Sequence, residues 1–557
     1  MLIAAGITAC DDDKYEPGPV WQDGITARSE VALAGVTAQT INIKAPSTPT
    51  LTSDAAWLHI GQPVAADKGI YSVELQADVN PADGDRTANI DVTAGQHKHT
   101  IKLTQKPGAY LEIKGIEPSE ILDPTGGTFT VKYLATAEPV ITAPEWLTRV
   151  ESRAVTESEI TFSYGTNTIE DREATIELTL TKNMKASITV SQAKKPLPNE
   201  MGSTAIQLAA KMYAGINIGN TMECPNGEAD WSKVKVNENY IAGLKALGFN
   251  AVRVPCAWDS HVSDASTNTI DPAWLDRVSE VIGYIIGNDM YAVLNIHWDG
   301  GWLENNISNG FDEEINKKQH DYWTQIANKM NIYDEHLLLA AMNEPGMTGG
   351  STGTKALDAI HRYQQTMLDA VRATGGNNAT RVLIMQTPST NIDQGTEGYY
   401  HMPTDLVEDR LMVEAHFYDP YQFNMMTEDA EWGKIFWYWG APNHSPGSSR
   451  NATWGEEDHV VEQMQKLKTT FVDKGIPAII GEYCVCEDRS EVVADVALHQ
   501  ASLRYWNRVV TREAKNAGCV PFFWEVGTDI NRVDGTVRKS IQIDGVMEGA
   551  AEGKYPF

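Results

Sequence analysis

Cysteine is scarce in this chain of 557 residues, which holds six. Apart from Cys10 there are Cys224, Cys256, Cys484, Cys486 and Cys519, an odd and scattered set that makes no disulfide framework. Cys484 and Cys486 lack C-x-x-C redox spacing, and no histidine follows them at zinc spacing, so they read as buried apolar residues. Positive charge is also short: 45 Lys and Arg face 75 Asp and Glu, a net charge of −30. That balance repels phosphate and excludes nucleic acid as a partner. Beyond the N-terminus there is no apolar run of about 18 residues that could cross a bilayer. No glycine-rich phosphate loop follows the first strand of the C-terminal region, which removes the usual nucleotide ligand of an open sheet. None of these absences excludes a neutral polymer.

What is present is globular: 42% hydrophobic and 22% charged residues, in a chain long enough for two to four domains. Tryptophan is abundant at 15, enough to stack on sugar rings as well as fill cores. Met1 to Ala9 are small and apolar and lead into Ile7-Thr8-Ala9-Cys10 and the acidic Asp11-Asp12-Asp13. This pattern reads as the tail of an export signal. The tetrad resembles a bacterial lipobox, and the acidic run resembles the surface-export signal of Bacteroidetes lipoproteins. The resemblance implies lipidation at Cys10, residues 1–24 as signal remnant and tether, and an outer-membrane, cell-surface location. The membrane contact would be the N-terminal lipid alone.

From 25 to 195 short alternating stretches are broken by Gly, Pro, Asn and Asp, as in Tyr71-Ser72-Val73-Glu74-Leu75. This is strand periodicity at sandwich spacing. It repeats with a period of about 85 residues. Asp85-Arg86-Thr87-Ala88 matches Asp171-Arg172-Glu173-Ala174, Leu103-Thr104-Gln105 matches Val190-Ser191-Gln192, and Trp57-Leu58 matches Trp146-Leu147. Two immunoglobulin-like β-sandwiches, 25–107 and 108–195, are expected. Both resemble BACON domains. Each holds one tryptophan in an apolar setting, which favours a spacer over a glycan-binding face.

After the stiff Lys194-Lys195-Pro196-Leu197-Pro198 the period changes. Helical stretches such as 237–247, 273–286 and 356–373 alternate with apolar strands beginning at Ala214, Ala251, Tyr291, Leu337, Val382, Met412, Ala478 and Val520. Eight such units over 196–557 predict a (β/α)8 TIM barrel, with an open doubly wound sheet as the runner-up.

The most informative stretch is Leu337-Leu338-Leu339-Ala340-Ala341-Met342-Asn343-Glu344-Pro345. An unbroken apolar run is a strand buried on both faces, and Pro345 ends it. Glu344 then sits at a strand's carboxyl end, where such barrels keep their chemistry. A second carboxylate, Glu482, closes Ala478-Ile479-Ile480-Gly481. Two carboxyl groups across a glycosidic bond are what acetal hydrolysis needs, one to protonate the leaving oxygen and one to attack.

This strand-four and strand-seven pattern is similar to glycoside hydrolase family 5. The resemblance implies Glu344 as acid with a raised pKa, Glu482 as nucleophile, and retention of configuration with carboxyls about 5–5.5 Å apart. It also implies sugar-contacting or tuning roles for Arg253, His297, Asn343, His416, Tyr418 and Trp524. Asn220 and Trp302, with His261, Trp298 and Asn305, are placed on loops lining the minus side. The family needs no cofactor and no metal. His297 has no H-x-x-x-H partner, so a substrate hydrogen bond is the better reading. Gly219-Asn220-Thr221 and Glu414-Ala415-His416-Phe417-Tyr418-Asp419-Pro420 look like the branch that holds endo-β-1,4-glucanases and xyloglucanases. The expected partner is a β-glucan polysaccharide, met by a monomer. A β-mannanase and a non-catalytic surface glycan-binding protein are the alternatives.

Overall fold

Strand alternation governs the chain up to Gln192, and the observed strands follow it. A computed structural model of the protein describes residues 24–33, 38–78, 80, 84–106, 111–114, 119–135, 138–150, 158–167, 170–182, 184–195, 197–346 and 353–557. Cys10 and the acidic run lie outside the described residues. One compact unit holds the strands of both sandwiches, and another holds Ala193–Phe557.

In the first sandwich, Arg86–Ala94 and His97–Gln105 form the central hairpin of one sheet, and Ile70–Ala77 pairs with Ala38–Lys44 in the other. Leu33, Ile43, Val73, Leu75, Ile90, Val92 and Leu103 are fully buried between them. The second sandwich repeats the plan with Arg172–Thr181 and Met184–Gln192 around Val131, Ile160, Ile176, Leu178 and Val190.

The repeated sequence signatures meet at one place in each sandwich. The Arg86 guanidinium lies 4.0 Å from the Trp57 ring centroid and donates through Nε to Gln105 Oε1 at 2.8 Å. Arg172 lies 4.2 Å from the Trp146 ring centroid, with Nε donating to Gln192 Oε1 at 2.9 Å. Both glutamines are buried, so each arginine covers a ring and satisfies a polar group at once. Losing the cation–π contact costs about 0.5–2 kcal/mol, and a buried amide short of a partner about 1–3 kcal/mol. Arg86→Ala should therefore destabilise the first sandwich by roughly 2 kcal/mol. Calorimetry of the full chain should show that transition fall while the barrel's stays put. An unmoved profile removes the stack from the stabilising contacts.

Past Ala193 the expected barrel is present. β1 (Gly215–Asn217), β2 (Ala251–Val254), β3 (Tyr291–Asn295), β4 (Leu337–Ala340), β5 (Leu383–Gln386), β6 (Leu411–Ala415), β7 (Ala478–Tyr483) and β8 (Cys519–Phe523) close in sequence order. All eight pairings are parallel. Helices follow the strands with ordinary start signals: Asn237 caps Glu238–Ala246, Asp271 precedes Pro272–Gly287, and Asp312 caps Glu313–Met330. After β5 the crossover helix shrinks to Ile392–Thr396. No helix among the described residues is long and apolar enough to cross a membrane.

Period-two alternation sorts the strand residues. Val252, Leu294, Leu339 and Ile480 pack with the surrounding helices. Ala251, Val293, Leu338, Ile384, Met412 and Val520 form an inner cluster joined by Leu208 and Met212 of the preceding segment. Two residues further along the same inward rows the chemistry changes. Asn217, Arg253, Asn295, Gln386 and Glu414 are polar or charged, and all are fully buried. The barrel is thus apolar in its lower layers and polar in its uppermost one, which is where a site can be built.

Candidate active site

The apolar run of β7 ends at Ile480, but the strand runs on to Tyr483 and carries Glu482 within it. Its register against β8 slips between Ile480 and Tyr483, a local irregularity of the kind that re-aims a side chain. Gly481 makes this possible. A Cβ there would collide with the Glu414 carboxylate, and its carbonyl accepts from Asn217 Nδ2 at 2.8 Å.

Arg253 ties the polar layer together. Its Nη1 donates to Glu482 Oε1 and Asn217 Oδ1 at 2.9 and 3.0 Å, and its Nη2 to Asn343 Oδ1 at 2.9 Å. Its Nε faces Glu414 Oε1 at 2.9 Å, with neither group exposed. Gln386 Nε2 donates to the other Glu414 oxygen at 2.6 Å. Tyr418 donates its hydroxyl to Glu482 Oε2 at 3.0 Å.

His416 joins the two candidate carboxylates. Its Nδ1 lies 2.8 Å from Glu344 Oε1 and 3.7 Å from Glu482 Oε2, and its Nε2 lies 3.2 Å from Glu414 Oε1. An oxygen of Glu344, an oxygen of Glu482 and a ring nitrogen of His416 all lie within 4.8 Å of one another. Glu482 is 8% exposed and Glu344 46% exposed, so one carboxylate is sunk in the floor and the other stands at the opening.

Ionisation follows from these contacts. Burial alone would lower His416, but the Glu482 charge and the hydrogen bonds to Glu344 and Glu414 push it up to about 10. Partial desolvation would raise Glu344, yet the hydrogen bond and charge of His416 hold it below the usual carboxylate range. This corrects the expectation of a raised Glu344: the sequence shows a neighbouring carboxylate but not the imidazolium between them. Glu414 is likewise lowered, with Arg253 and His416 outweighing burial. The spacing of Glu344, His416 and Glu482 would suit an ion, but hydrogen bonds with Glu344 and Glu414 engage both ring nitrogens of His416.

His297, just past β3, is held as a neutral ring. Burial, helped by the charges on Arg253 and His416, holds it well below its ordinary value. Its plane is parallel to that of Trp524 within 8°, centroids 6.0 Å apart. The Trp524 ring lies so close over β1 that a Cβ on Gly219 would meet it at 2.9 Å. Asn220 stands at φ +59°, its backbone N–H taken by Glu223. The structure packs Trp302 edge-on to Tyr322 with Lys318 over its face, and buries its indole N–H. The exposed indole of that loop is Trp298. His261 stacks on Trp274 at 3.7 Å.

Four further contributors escaped sequence reading. Glu414 interrupts an otherwise apolar strand, a signal that was available. Glu304 Oε1 accepts the Glu344 backbone N–H at 2.7 Å, and burial with the nearby Glu344 and Glu482 charges raises it to about 8. Nothing in its loop sequence announces that. Ser389 and Thr390 hold φ of +52° and +46°, unusual for residues with side chains. Thr390 accepts the His416 backbone N–H through its carbonyl at 2.8 Å, and its hydroxyl lies 3.5 Å from Glu344 Oε1.

Comparison with known proteins gives matches to both parts of the chain. The family model for cellulase (glycosyl hydrolase family 5) matches residues 214–529. The BACON model, a putative N-terminal binding domain, matches 40–106 and 136–193. A xyloglucan-specific endo-beta-1,4-glucanase of Bacteroides ovatus is 31% identical over 368 residues, 62% of this chain and 70% of that protein. A xyloglucan-specific beta-1,4-glucanase from a ruminal metagenomic library, solved with XXLG, is 37% identical. It covers 64% of this chain and 98% of its own, with a TM-score of 0.59. The Bacteroides ovatus xyloglucanase solved with a XXXG heptasaccharide is 27% identical and covers 79% of this chain and 100% of its own, with a TM-score of 0.58.

Proposed function

We propose, on the premise that this chain belongs to glycosyl hydrolase family 5, that xyloglucan is its preferred polymer and that Glu344 and Glu482 cut it. The chain is a retaining, endo-acting glycoside hydrolase of β-1,4-glucan backbones, as its family and relatives are. The observation that carries the residue assignment is the approach of the two carboxylates within 4.8 Å. Retention requires a separation of about 5–5.5 Å between carboxyl groups, whereas inversion needs about 6.5–9.5 Å to admit a water. Xyloglucan is favoured because the relatives described above carry that specificity in their names.

In the proposed reaction Glu482, oriented by Arg253 and Tyr418, attacks the anomeric carbon. Glu344 hands a proton to the leaving oxygen. At rest that proton sits on His416 Nδ1, 2.8 Å from Glu344 Oε1, and crosses that hydrogen bond as it is needed. First among the groups that hold it there is the Glu482 charge, followed by the hydrogen bonds to Glu344 and Glu414. Ester formation consumes this charge, so the nucleophile's reaction and the release of the proton favour each other. Water then attacks the glycosyl ester, Glu344 takes its proton, and His416 is recharged. His297 and Trp524 supply a neutral donor and a flat wall for the ring at the cleavage point, and Asn343 a contact to its 2-hydroxyl.

Reducing-end release on xyloglucan, mixed-linkage glucan, carboxymethylcellulose and mannan tests the substrate, and proton NMR of the first product tests the stereochemistry. Xyloglucan should be fastest, mannan inert, and the β-anomer should appear first. A faster rate on mannan moves the assignment to a mannanase. Binding without release from any polymer moves it to a surface glycan-binding protein.

Gly481→Ala should lower kcat by roughly 10–100-fold with KM little changed. The new methyl would push Glu414 off Arg253 and His416 without touching the sugar-facing walls. Unchanged kcat would show that the Glu414 position is irrelevant to turnover.

The proposal extends to location. Cys10 is taken as an acylated N-terminus at the outer membrane, with the sandwiches as spacers. Support lies in the lipobox-like tetrad and the acidic residues behind it. Cys10→Ala should release the protein into the soluble fraction, and continued membrane retention would refute the anchor.

A further inference from the structure

Two cysteines follow the attacking carboxylate on the same strand end. β7 stops at Tyr483, and Cys484 and Cys486 come next, two and four residues beyond Glu482. Sequence alone reads both as buried apolar residues. Cys484 is buried, but Cys486, in the loop that follows β7, is exposed. Their sulfurs lie 3.2 Å apart with no bond between them. That is inside ordinary contact distance for two sulfurs and short of a covalent bond.

The two thiols are unequal. The hydrogen bond from Cys484, with some help from Arg489, holds Cys486 below its usual range against partial desolvation of the sulfur. Cys484 is driven well above its own by that same bond and by burial. One is thus the accessible, readily ionised sulfur and the other its protected neighbour, the division of labour in exchange-active pairs. Burial pushes Cys224 up to about 11 and Cys519 up to about 12, and both lie inside the fold, so selectivity for the pair is built in.

The pair is also tied to the chemistry. The Cys486 backbone N–H donates to Asn424 O at 3.0 Å, and Asn424 Nδ2 donates to Tyr418 O at 2.9 Å. Tyr418 in turn holds Glu482 Oε2 at 3.0 Å. A change of backbone path at 484–486 therefore reaches Glu482 from its own strand and through Tyr418.

We propose that Cys484 and Cys486 form a reversible thiol–disulfide switch on the nucleophile-bearing strand, closed by small-molecule disulfides and lowering turnover when closed. The Cys486 thiolate attacks one sulfur of the incoming disulfide and expels a small thiolate. The Cys484 thiol gives its proton to water, and its sulfur attacks Cys486 in the mixed disulfide. That expels the second small thiol. Two electrons pass from the protein to the small disulfide, and one S–S bond replaces another. A ring closed over a single intervening residue is strained, so the bond is easily reduced again, as regulatory disulfides are.

The activity readout rests on the hydrolase reading, whereas the thiol readout does not. The full-length protein is incubated with oxidised glutathione, blocked with N-ethylmaleimide and digested for peptide mass mapping. The peptide spanning both cysteines should be unblocked and about 2 Da lighter. Xyloglucan hydrolysis should fall by about tenfold or more, since small displacements of a reacting group cost that much. Dithiothreitol should restore both. Cys486→Ser should keep the starting rate and ignore oxidised glutathione, and Cys486→Ala should repeat that result. Full blocking of both cysteines after oxidised glutathione overturns the switch. A mapped disulfide with an unchanged rate overturns its control of turnover. A protein that shows the mass change but hydrolyses nothing before oxidation instead fails the hydrolase reading.

Discussion

Glu482→Ala is expected to lower kcat on xyloglucan by roughly 10⁴–10⁶-fold, the scale on which losing a covalent nucleophile acts. Glu482 is the carboxylate with the geometry for attack. It is sunk in the floor and held at one oxygen by Arg253 and at the other by Tyr418. Alanine leaves a carboxylate-sized space beneath the anomeric carbon. Azide should enter it and restore turnover of an activated aryl β-glycoside, giving a glycosyl azide of α configuration. The fold should survive, because Arg253 keeps Glu414 as counter-ion at 2.9 Å. A buried charge stripped of every partner would cost about 3–5 kcal/mol, and that is avoided here. Glu482→Gln, which keeps the volume, separates lost chemistry from lost packing. A residual rate within tenfold of wild type, or a β-configured azide product, would move the nucleophile elsewhere.

The barrel was legible because its strands must be apolar on both faces, and a run such as Leu337 to Ala341 fits little else. The sandwiches were legible as a repeat. Trp57, Arg86 and Gln105 recur as Trp146, Arg172 and Gln192, and the structure shows why those three types travel together. At the site, strand-end position located Glu344 and Arg253, because where a strand stops is written in its hydrophobic run. What stayed hidden depends on geometry between strands. The register slip around Glu482 depends on how β7 meets β8, which the apolar run of β7 does not show by itself. The lowered Glu344 arises from an imidazole that approaches from β6, seventy-two positions away. Trp302 and Trp298 share a loop and a residue type, and only the path of that loop decides which is packed and which is open. Cys486 reads like Cys484 in composition and differs from it only in facing solvent.

Glu344→Ala is expected to reduce kcat on xyloglucan by about 10³-fold, within the 10²–10⁴ range of lost general acid catalysis. With 2,4-dinitrophenyl β-cellobioside, whose leaving group needs no proton, glycosylation should slow by less than tenfold. Deglycosylation, which needs Glu344 as base, then becomes limiting, and a burst of dinitrophenol should precede a slow steady state. The pH profile carries the sharper test. His416 is raised to about 10 and Glu344 is lowered, so across neutral pH the pair holds one proton, resting on the ring. As pH rises through about 10 that last proton leaves, and the alkaline limb of wild-type kcat/KM should fall there rather than near an ordinary carboxylate value. The same sign governs stability. His416 is raised by folding, so its contribution is complete below its unfolded value of about 6.5 and is lost as pH climbs toward the folded one. Removing Glu344 deletes one of the partners that raise His416, so the loss of stability should set in at lower pH in Glu344→Ala. A wild-type limb near pH 5, unmoved by His416→Asn, would show that Glu344 keeps its own proton and that the ring stores none.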